Sequence, residues 1–91
     1  MRGYARTDTN HKEIVAAFRS LGATVLDTSV LGRGAPDLCV GYAGFSVLVE
    51  VKHGNGALTE DQVKFHGSWK GDIRIVRTVD DVIGMLRDWI E

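Results

Sequence analysis

Two short strings decide how this chain is read: Gly34-Ala35-Pro36-Asp37-Leu38 and Glu50-Val51-Lys52, with twelve residues between Asp37 and Glu50. The run from Phe45 to Lys52 alternates in the manner of a strand. Phe45, Val47, Val49 and Val51 point to one side, and Ser46, Leu48, Glu50 and Lys52 to the other. Side chains two apart on a strand share a face, so Glu50 and Lys52 stand side by side. The residues from Asp37 to Val40 read as the partner strand of a hairpin, with Gly41-Tyr42-Ala43-Gly44 as the connection. That partner brings a second carboxylate, Asp37, to the same face. An unpaired charge on a buried strand is costly, and two adjacent carboxylates drive one of them to protonate unless a cation lies between. Mg²⁺ resolves the conflict, because it takes carboxylate and water oxygens at about 2.0–2.1 Å. Lys52 then sits beside a bound water or a phosphate, as a point charge and proton-transfer aid.

Outward from this hairpin the rest of the fold falls into place. Ile14, Phe18 and Leu21 mark one face of a helix from Asn10 to about Leu21, with Asn10 at the N-cap and Gly22 just past the end. A β-type run, Ala23 to Leu26, precedes a turn-rich stretch from Asp27 to Pro36. After the hairpin, His53 to Ala57 is expected as a flexible loop. Thr59 and Gln62 then form a capping box, with Leu58 and Val63 at the hydrophobic-staple positions, and the second helix runs to about Trp69. Ile73 to Arg77 makes a fourth strand, and a last helix from about Val79 to Ile90 buries Val82, Met85 or Leu86, and Trp89. The order α-β-β-β-α-β-α predicts an α/β fold whose four-stranded mixed sheet is flanked by helices.

With that order on the page, Pro36-Asp37 and Glu50-Val51-Lys52 resemble the PD-(D/E)xK signature of the restriction-endonuclease-like nuclease superfamily, which carries it on an αβββαβ core. More narrowly, the chain is similar to the virus-type replication-repair nuclease (VRR-NUC) domain. The matching features are Glu13 on the first helix, Gly34-Ala35-Pro36-Asp37-Leu38, Glu50-Val51-Lys52 and Leu58-Thr59-Glu60-Asp61-Gln62. The resemblance implies Mg²⁺- or Mn²⁺-dependent hydrolysis of DNA phosphodiesters. It assigns Asp37 and Glu50 as metal ligands with Glu13 as a further one, Lys52 as the catalytic cation and Gln62 as a supporting polar group. Branched, flap or Holliday-junction DNA in replication, repair or recombination is the expected substrate. A homodimer is expected as well, since stand-alone members of the superfamily are often two-fold dimers.

Plainer readings stand beside these. Glu13 is also N3 of the first helix if Asn10 caps it, and Gln62 is N3 of the second. Asp37 after proline suits a turn, and Glu50 with Lys52 suits a same-face ion pair. His53 and His66 read as surface histidines. Cys39 packs as a small hydrophobe and has no spacing for a zinc site. Trp69 and Trp89 read as core residues. Arg33, in a glycine-rich loop beside Asp37, suits either a phosphate contact or plain solvent exposure. Arg2, Arg6, His11 and Lys12 form a positive N-terminal cluster able to track a nucleic-acid backbone, whereas Lys64 and Lys70 read as the solvated side of their helix.

Composition sets the outer bounds. The 91 residues carry 44% hydrophobic and 25% charged side chains and a net charge of −1. That is an ordinary globular composition, read as one domain over residues 1–91 and not as a disordered chain. The near-neutral charge removes the argument from a strongly basic domain, so nucleic acid must be held by a local patch or through metal ions. One cysteine excludes an intrachain disulfide, and with no apolar N-terminal segment the expectation is a cytoplasmic protein. The rival reading is a non-catalytic nucleic-acid-binding or interaction module on the same fold. A hydrolase of small phosphoesters is a third.

Overall fold

The computed structural model describes residues 9–90, and its elements follow the predicted order. Helix α1 spans His11–Ser20, strand β1 Thr24–Asp27, β2 Leu38–Tyr42, β3 Phe45–Val51, helix α2 Glu60–Ser68, β4 Ile73–Val76 and α3 Val79–Ile90. One turn of 3-10 helix, Ser29–Leu31, lies where the sequence pointed only to turns.

The strands form a single sheet in the order β1-β2-β3-β4. The first two pairings are antiparallel, and β4 runs parallel to β3 because α2 carries the chain across the sheet between them. Opposed residues of an antiparallel pair share a face. Leu38 lies opposite Val49 and Val40 opposite Val47, while Cys39 lies opposite Leu48 on the other side. The first face is the core, where these four residues pack with Ile14 and Phe18 of α1 and Val82, Met85 and Leu86 of α3. Both Met85 and Leu86 are buried, and Leu21, expected on the buried face of α1, is exposed because the helix ends at Ser20. Helix α2 lies on the second face over Glu50 and leaves Leu26 and Ile75 of that face exposed.

The hairpin is tighter than its glycines suggested. Ala43 and Gly44 alone make the turn, both at positive φ (52° and 84°), the geometry of a two-residue type I′ connection. Gly41 and Tyr42 remain in β2, and Tyr42 stacks on Trp89 of α3 with ring centroids 5.9 Å apart.

The helix starts show how local signals and tertiary contacts divide the work. The capping box of α2 forms as predicted: Thr59 Oγ1 accepts from the Gln62 amide, and Gln62 Oε1 accepts from the Thr59 amide. A similar reciprocal pair, Thr78 and Asp81, opens α3. At α1 the side chain of Asn10 makes no cap. Its Nδ2 donates instead to the carbonyl oxygens of Lys52 (3.1 Å) and Arg77 (2.8 Å), fastening α1 to the chain just past β3 and β4. The loop after β3 is also anchored, because Arg77 Nη1 donates to the carbonyls of Gly54 and Gly56.

Candidate active site

The ends of β2 and β3 bring Asp37, Glu50 and Lys52 together. Leu38 pairs with Val49, so Asp37, one residue before it, falls beside Glu50 on the sheet face away from the core. The Asp37 carboxylate reaches across the ladder and accepts from the Val51 amide at 2.9 Å, which holds it against the Glu50–Val51 peptide. Its own carbonyl accepts from the Thr28 amide, tying the site to the end of β1. All three charged residues are buried: Asp37 and Lys52 are 8% exposed and Glu50 only 1%.

Helix α2 closes over Glu50 with two side chains one turn apart. Gln62 Nε2 donates to Glu50 Oε2 at 3.1 Å, and His66 Nε2 stands 3.7 Å from Oε1. Gln62 thus uses both ends of its amide: the carbonyl oxygen completes the capping box while the nitrogen holds the Glu50 carboxylate. His66, read from sequence as a surface residue, is instead largely buried in this contact. Its i, i+4 spacing from Gln62 was the available signal. Burial, and then the nearby Lys52 ammonium, pushes the His66 pKa down.

The loop before β2 sets the height of α2. Gly34 has φ +81°, and a Cβ there would collide with the backbone of Asp61 and stand 2.9 Å from the Gln62 nitrogen. Only glycine permits both the left-handed conformation and this approach. The motif Gly34-Ala35-Pro36-Asp37 thus holds Asp37 on one side and seats the first turn of α2 on the other.

The remaining predicted residues scatter around this centre. Glu13 is exposed on α1 and lines a hollow with Asn10, His53, Gly54 and Arg77. Among the described residues no three His, Cys, Asp or Glu side chains converge as a metal cluster, so Glu13, Asp37 and Glu50 are not assembled into one. Lys12 lies along α1 with Arg19, and Arg33 lies against α2 with Lys64 and Phe65, on opposite sides of the sheet. His11 is buried, and its Nε2 lies 3.1 Å from Asp27 Oδ2. Arg2 and Arg6 fall outside the described residues. Trp69 is not core but 44% exposed, with Phe65 stacked against it.

An αβββαβ core with a proline-aspartate strand entry and Glu-x-Lys on the neighbouring strand is a restriction-endonuclease-like α/β fold. Among solved structures, a VRR_NUC domain superposes with a TM-score of 0.71 and 28% identity, covering 87% of this chain and 91% of that one. The chain therefore has a VRR-NUC-like nuclease fold. No family model and no curated protein matches it. No described helix is long and apolar enough to cross a membrane.

Proposed function

We propose that this protein is a Mg²⁺- or Mn²⁺-dependent DNA endonuclease, selective for branched, flap or junction DNA in replication, repair or recombination. The observation that carries the reading is the buried trio Asp37, Glu50 and Lys52 on one face of a nuclease-type sheet, with Glu50 gripped from above by Gln62. Two neighbouring carboxylates, with no third His, Cys, Asp or Glu side chain converging on them among the described residues, suit Mg²⁺, which commonly takes one or two carboxylates and leaves its other positions to water and substrate phosphate. Asp37 and Glu50 would hold the ion, and Glu13 would join only by moving inward. A divalent cation at such a place lowers the pKa of water and offsets charge developing on the phosphate.

The chain's own groups do the rest. The Val51 amide and Gln62 fix the two carboxylates, which keeps their oxygens pre-aimed. Lys52 provides a positive charge for a non-bridging phosphate oxygen. His66 stands beside the other Glu50 oxygen and limits how far that carboxylate can turn. Arg33 lies on the α2 side, where it can meet the DNA backbone; Lys12, on the opposite side of the sheet, would offer a second and separate contact, with Arg2 and Arg6 as further candidate cations. The longest dimension of the fold is 37 Å, about one turn of duplex, so a homodimer is the form suited to grip two arms of a junction. Gel filtration showing a fully active monomer would remove the dimer.

The test is cleavage of fluorescent linear, flapped and four-way DNA in Mg²⁺ and in Mn²⁺. Glu50→Gln and Lys52→Ala should each abolish cutting while the thermal melt stays cooperative, and Glu13→Gln should cost less. Tight binding without cutting in any divalent metal would instead establish the non-catalytic module.

A further inference from the structure

The exposed indole of Trp69 has a place in this site. Trp69 follows α2, and Phe65 stacks on it with ring centroids 5.5 Å apart and planes 16° apart. The chain bends close beneath it: a Cβ on Gly71 would stand 2.9 Å from the indole Nε1, so a larger residue there would shift the ring. Beside the ring opens a hollow of about 160 Å³, lined by Cys39, Ser46, Leu48, Trp69, Gly71 and Asp72. That is well below the roughly 300–1,000 Å³ of pockets that take whole small molecules.

Its position follows from the register. Cys39 and Leu48 are opposite one another, each two residues along its strand from Asp37 and Glu50. They share the face of those carboxylates at a distance of roughly 7 Å, a step that one extended nucleotide can span. The hollow has an apolar floor, a hydroxyl from Ser46, and the Asp72 carboxylate held in place by Arg74 at 2.9 Å. On the other flank of Phe65, Arg33 and Lys64 line an open groove together with Asp61, and Lys64 lies 4.0 Å from Glu60 in an exposed pair that a phosphate can displace. A flat aromatic wall, a small cleft with polar groups at its edge and cations alongside are the components of a single-strand stacking site.

The geometry points to a nucleobase subsite: an unpaired base of the strand being cut enters the hollow and stacks on Trp69, while Arg33 and Lys64 meet neighbouring phosphates. It rests on the nuclease reading for the identity of that strand. It also gives structure selectivity a cause, since a base already unpaired at a flap or junction enters without the cost of being drawn from a duplex.

The measurement uses dT8 and an all-abasic octamer of equal charge, in EDTA so that nothing is cut. Fluorescence anisotropy of the labelled oligonucleotides on the unaltered protein should show dT8 binding about 5- to 150-fold more tightly, the range expected for stacking of one base. In a Trp89→Phe background Trp69 is the sole indole, and dT8 should quench it. Trp69→Ala should lose most of the preference for dT8, and Trp69→Phe should regain it. Equal affinity for the two octamers overturns the subsite, since phosphate contacts would then account for all the binding. Base-dependent binding without cleavage of any DNA in Mg²⁺ or Mn²⁺ strikes the nuclease reading alone, and cleavage without base-dependent binding strikes the subsite alone.

Discussion

Replacing Gly34 by alanine should separate the two demands made on that residue. Its φ of +81° is nearly matched by the +84° of Gly44, yet a Cβ on Gly44 meets nothing within 4 Å, whereas one on Gly34 collides with the first turn of α2. Gly44→Ala therefore carries the left-handed strain alone, about 1–2 kcal/mol. In a domain of this size that lowers the melting temperature by about 4–16 °C. Gly34→Ala carries the same strain and must also push the backbone of Asp61 and Gln62 away, which moves Gln62 off Glu50. We expect its loss of stability to exceed that of Gly44→Ala by at least about 1 kcal/mol, in line with other overpacked sites. Thermal unfolding followed by circular dichroism gives the comparison, and Mg²⁺-dependent cleavage at a temperature where both variants are folded gives the functional half. Only Gly34→Ala should lose cutting. Equal melting temperatures for the two variants, or equal activities, would refute the argument that this glycine seats α2 over the carboxylates.

Three further outcomes follow from contacts elsewhere. Asn10→Ala strands the carbonyls of Lys52 and Arg77 and should cost about 2–4 kcal/mol, read as a lower denaturant midpoint at unchanged slope. Ala43 holds a positive φ at a turn position that favours asparagine or glycine, so Ala43→Asn should raise the melting temperature by a few degrees without altering activity. The Asp27 carboxyl is held below its ordinary range, chiefly by the Ser29 hydroxyl, with burial opposing and His11 assisting. Folding thus disfavours its protonation: the stabilisation is complete above the unfolded value of about 3.9 and is lost as pH falls through the lower folded value. Ser29→Ala should flatten that acid limb, and the effect should be modest because the Asp27 side chain is half exposed.

Much of this site could be read before any coordinates, because it is built from short-period rules. Alternation along Phe45–Val51 puts Glu50 and Lys52 on one face, and the hairpin sets Asp37 beside them. Thr59 and Gln62, three residues apart, announce the start of α2 with backbone atoms only a turn away. The misreadings share a cause. The side chain of Asn10 was matched to its own helix but is used by two strand ends far along the chain. His66 and Trp69 both belong to the α2 segment and its exit, and the burial of one and exposure of the other depend on how much of the sheet that segment covers. The pull of His11 towards Asp27 depends in the same way on where α1 meets β1.

The amino-acid order by itself determined the succession of strands and helices, the face that carries the three charges, and the capped start of the helix that serves them. Each of these is settled by residues within a turn or a hairpin of one another, where spacing and geometry are equivalent. Only the tertiary structure decided that Gln62 and His66 meet opposite oxygens of Glu50, that Gly34 touches α2, that Glu13 stands apart from Asp37 and Glu50, and that Trp69 opens onto a hollow. Those are contacts between segments distant along the chain, and their distances are set by how helices seat on a twisted sheet, which no local period encodes.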